Sequence, residues 1–155
     1  MSEDLTTIQV DQFFPHPVER VWRVLTVPEL MARWLMPNDF EPRVGHKFTM
    51  KTRPVDQVEF SGDIACEVLE LVPLRRLSIS WRGGQGVNTL DSTVTWDLTP
   101  DGRGTRVLLE HRGFDPDNAT HQLSRRIMNG GWRSHVQRAF SAVLDADREY
   151  TDQSV

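Results

Sequence analysis

The chain has 155 residues, 38% of them hydrophobic and 26% charged, with a formal net charge of −4. That is enough for one domain, residues 1–155, with a sizeable core, and the mild acidity argues against general nucleic-acid binding. No apolar run reaches the roughly 18 residues of a membrane span, the N-terminus MSEDLTTIQV lacks a secretory pattern, and the single Cys66 excludes an internal disulfide, so a cytoplasmic location is expected.

Thr6 to Phe14 alternates, with Ile8, Val10 and Phe13 set against polar neighbours, and predicts a strand. Pro15-His16-Pro17 stops it, and Pro17 suits the first turn of a helix running to Thr26, with Val18, Val21, Trp22 and Leu25 on one face. Pro28 opens a second short helix whose apolar side is Leu30, Met31 and Trp34; residues 38–43 read as loop. Strands then follow. Gly45–Thr52 carries Phe48 and Met50. Val58–Leu71 puts Phe60, Gly62, Ile64, Cys66 and Val68 on one parity, with a bulge near Leu69–Leu71. After a turn at residues 72–75, Arg76–Trp81 aligns Leu77, Ile79 and Trp81, and residues 82–86 form a glycine-rich hairpin end. Asn88–Leu98 sets Leu90, Ser92, Val94, Trp96 and Leu98 against a polar face. Pro100-Asp101-Gly102 turns the chain into Thr105–Arg112, where Val107, Leu109 and His111 share one side.

The last stretch, Ala119–Tyr150, predicts a helix of roughly 45 Å at ~1.5 Å per residue. Its apolar face is read as Leu123, Ile127, Met128, Trp132, Val136, Ala139, Phe140 and Val143. Gly130 and Gly131 lie inside it, each costing about 1 kcal/mol relative to alanine. They mark either a kink that lets the helix follow a curved sheet, or a place where a ligand or gate approaches the backbone. Short turns between consecutive strands imply an antiparallel sheet. The expected fold is therefore α+β: a curved antiparallel sheet of about six strands around the long C-terminal helix, with two short helices after the first strand.

Several segments resemble a known family. Val21-Trp22-Arg23-Val24-Leu25-Thr26-Val27-Pro28-Glu29-Leu30, followed by Arg33-Trp34, is similar to the opening signature of proteins related to the C-terminal domain of the heat-shock protein 90 ATPase activator. Val68-Leu69-Glu70-Leu71-Val72-Pro73 with Arg76-Leu77-Ser78-Ile79-Ser80-Trp81 resembles its middle hairpin. Ser92-Thr93-Val94-Thr95-Trp96, Gly104-Thr105-Arg106-Val107 and His111-Arg112-Gly113-Phe114 resemble the last hairpin, and Gly131-Trp132 the mark within the final helix. The resemblance runs from about Phe14 to Leu144. It implies the helix-grip fold of the START and birch-pollen-allergen-like superfamily, whose members enclose a cavity between sheet and helix. Many of them bind lipids, sterols or aromatic molecules, and a few are cyclases or hydrolases. Gly45-His46 stands where the family often has two glycines, and the N-terminal domain of the eukaryotic activator has no counterpart here. That speaks against a chaperone partner.

His111 has three readings: a hydrogen-bonded core residue, a polar anchor for a ligand, or an acid/base group. His135 lies near Trp132 on the helix or faces solvent; His16, His46 and His121 read as surface residues. Cys66 has inward parity and reads as a small inert hydrophobe. No spacing suits a metal, and no nucleophile elbow, P-loop or dinucleotide fingerprint is present, so no cofactor is expected. The candidate ligand-binding set is Trp34, Phe48, Met50, Trp81, Trp96, His111, Trp132 and Val136. The function expected is binding of a small hydrophobic or aromatic molecule, ahead of a cyclase- or hydrolase-type enzyme using the same cavity, or a chaperone-interacting module.

Overall fold

The computed structural model describes residues 4–58, 60–84 and 89–147, with residue 135 by its backbone alone. The predicted strand start at Asn88, the hairpin-end residues Gln85 and Gly86, the end of the long helix at residues 148–150 and the side chain of His135 lie outside the described residues. In chain order the elements are β1 (Thr7–Phe14), α1 (Val18–Thr26), α2 (Pro28–Trp34), β2 (Lys47–Lys51), a 3-10 turn (Asp56–Val58), β3 (Asp63–Val72), β4 (Arg76–Gly83), β5 (Leu90–Asp101), β6 (Gly104–Arg112), α3 (Ala119–Gly130), a π-helical stretch (Gly131–Val136) and α4 (Gln137–Ala146). The strands form one six-stranded sheet in the order β1-β6-β5-β4-β3-β2, every pair antiparallel. Among the described residues, no helix is long and apolar enough to cross a membrane.

Alternation along each strand decides which face meets the helix. One inward row crosses most of the sheet: Ile8 opposite His111, His111 opposite Val94, Val94 opposite Ile79, and Ile79 opposite Val68. All five residues are buried. The register of β3 on β4 shifts between Val68 and Glu70, where the sequence pattern loses its phase. In β1 the inward residue near the end is Phe14 and not Phe13. Phe13 is 45% exposed, with the Arg106 guanidinium over its ring.

Above the sheet, aromatic rings touch in series. Phe14 meets Phe140 at 5.0 Å between centroids, Phe140 meets Trp34 at 4.8 Å, Trp34 meets Trp96 at 6.1 Å, and Trp96 meets Trp132 at 6.0 Å. Trp132 in turn meets Trp81 at 5.6 Å. Edge-on and tilted contacts of this kind add about 0.5–1.5 kcal/mol per pair beyond the buried area. Trp34 also donates its indole N–H to the Val24 carbonyl, so its polar edge is satisfied in the core.

Two predicted elements differ from the structure. The long third strand begins at Asp63, not Val58. Residues 52–58 and 60–62 fold back instead: Val55 and Phe60 exchange backbone hydrogen bonds of 2.8 and 3.0 Å, and Thr52 N–H donates to the Gly62 carbonyl at 2.8 Å. Gly62 has φ +96, and a Cβ there would collide with the Thr52 carbonyl, so only glycine fits the closure.

The helix face also differs in its first turns. The inward residues there are His121, Ser124 and Arg125; Leu123 is half-buried and Ile127 is 43% exposed. The reason is what lies opposite. His121 accepts from the Asp115 N–H at Nδ1 and donates from Nε2 to the Thr89 carbonyl at 2.9 Å. Arg125 donates to the carbonyls of Asp4 and Thr7. These turns rest on backbone acceptors, which call for donors and not apolar side chains.

The fold-back yields a matched pair of variants. Gly45 also has positive φ (+86), but a Cβ there meets nothing within 4 Å. Gly45→Ala is expected to lose roughly 1 kcal/mol from backbone strain alone, and Gly62→Ala clearly more, because the Thr52 backbone must move as well. Urea unfolding of both measures the difference. Equal losses would show that the fold-back is not locked at Gly62.

Candidate functional site

The long helix widens at the glycine pair. Gly131 N–H reaches the carbonyls of both Ile127 and Met128, the π-helical stretch begins there, and the Ser134 hydroxyl donates to the Gly130 carbonyl at 2.6 Å. Such wide turns are rare and recur at functional sites. The next residue, Trp132, turns into the core and is 5% exposed.

Trp132 Nε1–H donates to His111 Nδ1 at 3.1 Å. An indole nitrogen is only a donor, so Nδ1 is unprotonated and the ring proton sits on Nε2. Nε2 lies 2.9 Å from Ser92 Oγ, which donates its own hydroxyl proton to the Trp81 carbonyl at 2.7 Å. The chain Trp132, His111, Ser92, Trp81 is thus fully paired, with His111 completely buried and neutral. Burial lowers its pKa from 6.5 to about 3. Burial, with Asp39 second, likewise pushes the Cys66 thiol up to about 12, which keeps it a thiol.

Two apolar spaces flank this cluster. The inner one is about 40 Å³, bounded by Trp34, Trp96, Trp132, Val136 and Phe140. It has room for no more than a few waters at roughly 10–15 Å³ each. The outer one is about 300 Å³, within the range of small-molecule sites. Its sheet wall is Trp81 and Leu90. Its helix wall is Ser124, Ile127, Met128 and Gly131, and its third wall is the fold-back, with Thr52, Arg53, Val55, Val58 and Phe60. Ile127, 43% exposed, stands at the rim.

The eight residues expected to bind ligand therefore separate. Trp34, Trp96, Trp132 and Val136 share the inner space, and Trp81 alone lines the outer one. His111 lines neither space, because both its nitrogens are used within the core. Phe48 and Met50 are buried in β2 and also line neither. Sequence reading missed the whole fold-back wall, Arg53 included; for Gly131 the pair of glycines inside a helix was the available signal. His121 is buried rather than on the surface; His16 and His46 are partly buried, each bonded to a neighbour. Among the described residues no cluster of three or more His, Cys, Asp or Glu could hold a metal.

The profile of the family described as Activator of Hsp90 ATPase homolog 1-like protein matches residues 15–145. Among solved structures, protein MLL2253 from Mesorhizobium loti is 35% identical with a TM-score of 0.76, over 91% of this chain and 98% of that one. CalU16 from Micromonospora echinospora is 24% identical with a TM-score of 0.69, over 92% of this chain and 78% of its own. DynU16, a protein of the dynemicin biosynthetic locus, is 20% identical with a TM-score of 0.71, over 93% of this chain and 48% of its own. At those identities the last two likenesses speak to the fold alone. No curated protein matches the chain.

Two outcomes follow from the buried cluster. Trp132→Phe keeps a ring but strands His111 Nδ1 without a donor, at an expected cost of about 1–3 kcal/mol; Trp132→Ala also opens a cavity, for about 3–5 kcal/mol. Chemical denaturation of both should rank them in that order, and a Trp132→Phe protein as stable as wild type would refute the bond. The second outcome is a pH dependence. Below its ordinary value of 6.5 the unfolded His111 takes up a proton that the fold resists down to about 3. Its contribution is complete above about pH 6.5 and is lost progressively as pH falls. The melting-temperature advantage of wild type over His111→Gln should therefore shrink between about pH 7.5 and about pH 4.5. A constant gap would contradict a neutral buried ring.

Proposed function

The chain belongs to the Activator of Hsp90 ATPase homolog 1-like family, and we propose that it is a binding protein for a small apolar or aromatic molecule held in the outer cavity of about 300 Å³. The observation that carries this reading is the bare helix wall at Gly131. Gly130 and Gly131 both have ordinary helical angles, near φ −61, and a Cβ at either meets nothing within 4 Å. Neither backbone geometry nor packing calls for glycine there, although each costs the helix about 1 kcal/mol. Space in the cavity is what the missing side chain at Gly131 leaves.

The walls favour an apolar guest. Trp81, Leu90, Val55, Phe60 and Met128 offer it surface worth about 25 cal/mol per Å² removed from water. A flat ring system suits a slot between the Trp81 ring and the helix. The cyclase or hydrolase reading is less well supported, because it relied on His111 as the proton-transfer group. With Trp132 and Ser92 on its nitrogens and a pKa of about 3, that ring presents no proton site to either space.

The two glycines provide the test. Leucine at either position should raise helix stability or leave it unchanged. Gly131→Leu should reduce affinity for the neutral fluorophore phenylnaphthylamine at least about tenfold, whereas Gly130→Leu, off the cavity wall, should bind it like wild type. Displacement of the dye by fatty acids, sterols and polycyclic aromatics then ranks guests. A Gly131→Leu protein that binds normally would move the site elsewhere; wild type that binds no dye and no competitor would sink the reading.

A further inference from the structure

The geometry points to an organic anion as the guest: an apolar or aromatic body against Trp81, with a carboxylate or sulfonate held by the Arg53 guanidinium. This rests on the binding reading above and adds to it the charge of the ligand. Among the described residues that line the cavity, Arg53 is the one ionisable side chain, and no carboxylate faces the space. Several other guanidinium groups pair with carboxylates: Arg23 with Asp147, Arg76 with Glu70 and Asp97, Arg82 with Asp91, Arg106 with Asp11 and Asp101. Among the described residues, no ion pair engages Arg53. The chain as a whole carries −4, so no long-range field draws anions in; any preference for them has to be local.

Arg53 is exposed, but the backbone that carries it is held in place. Arg53 precedes Pro54, which restricts its backbone to extended conformations. On one side Thr52 N–H is tied to Gly62, and on the other Val55 is paired twice with Phe60. The guanidinium therefore projects from a clamped turn and not from a free loop, which reduces the ordering cost of binding. Its planar fork matches the two oxygens of a carboxylate or sulfonate. Its neighbours on the same wall, Val55 and Phe60, are apolar, so a guest that covers them would also draw its anionic group toward the guanidinium.

The experiment compares two dyes with one skeleton: anilinonaphthalene sulfonate, and phenylnaphthylamine, which lacks the sulfonate. Fluorescence titrations are run on wild type, Arg53→Gln and Arg53→Lys, with Gly131→Leu as the blocked control. Wild type should bind the sulfonate roughly five- to tenfold more tightly than the neutral dye, and added salt should erode that preference. Arg53→Gln should bind both dyes equally, with the neutral dye's affinity unchanged, and Arg53→Lys should keep part of the preference. Equal binding of the two dyes by wild type, or a preference that survives Arg53→Gln, overturns the anion inference and leaves the cavity reading standing. If neither dye binds wild type, or both bind Gly131→Leu undiminished, the cavity reading itself fails and the inference falls with it.

Discussion

The contact on which the rest of this structure depends is the hydrogen bond from the Trp132 indole to His111. It is the point where the helix is keyed to the sheet. His111 sits between Ile8 and Val94 in the buried row that runs from Ile8 to Val68, so its ring cannot shift without disturbing the strands on both sides. Apolar burial is non-directional and specifies the helix position only through packing. A buried imidazole with one acceptor and one donor tolerates a single arrangement, since an unpaired nitrogen there costs about 1–3 kcal/mol. The bond therefore sets which residues of the helix face which part of the sheet. With Trp132 fixed inward, Gly131 and Met128 fall at the outer cavity and Val136 and Phe140 at the inner one.

The two halves of the helix are anchored by different means. At the N-terminal half, Arg125 and Arg133 donate to the carbonyls of Thr7 and Gln9. Those carbonyls belong to β1, an edge strand, and an uncovered edge is an invitation to unwanted pairing. At the C-terminal end, the Asp147 side chain is buried to 2% exposure against the Arg23 guanidinium at 2.8 Å, and Asp145 meets His16 at 3.0 Å. Both ends are thus held by polar ties to the first elements of the chain. Between them lies the π-helical stretch, tied to the sheet by Trp132 and by Arg133, and its first residue, Gly131, lines the cavity.

Much of the fold was legible because strand alternation is a strict physical signal. Leu77, Ile79 and Trp81, or Val107, Leu109 and His111, have no other way to be buried together. The fold-back at residues 52–62 was not legible for an instructive reason. Phe60 and Gly62 share parity with Ile64, so the pattern reads straight through, and the positive φ of Gly62 that ends the strand leaves no trace in hydrophobicity. The first turns of the long helix were misread for the opposite reason. Their inward positions are His121, Ser124 and Arg125, which a search for apolar periodicity passes over. The first error falls on the cavity wall, the second mostly beside it, since Ser124 lines the cavity but His121 and Arg125 do not. A reversed turn and backbone-bonded donors have no periodicity to detect, whereas the core they border does.

Magnitudes separate the two spaces. An empty apolar void costs about 24 cal/mol per Å³. At that rate the inner space of about 40 Å³ costs about 1 kcal/mol, an ordinary packing defect. The outer space of about 300 Å³ would cost about 7 kcal/mol if it were sealed and dry, comparable with the whole stability of a typical domain. It is not sealed, since the lining residue Ile127 is 43% exposed, so that cost does not apply in full. Trp81, Leu90 and Met128 are the apolar surface that folding leaves uncovered there. The helix gives up a side chain at Gly131, which lines this space, and the chain gives up regularity at Gly62, whose contact with Thr52 closes the fold-back that forms another wall of it. A site assembled from two local losses of stability is where natural sequences depart from the rules that hold everywhere else in the chain.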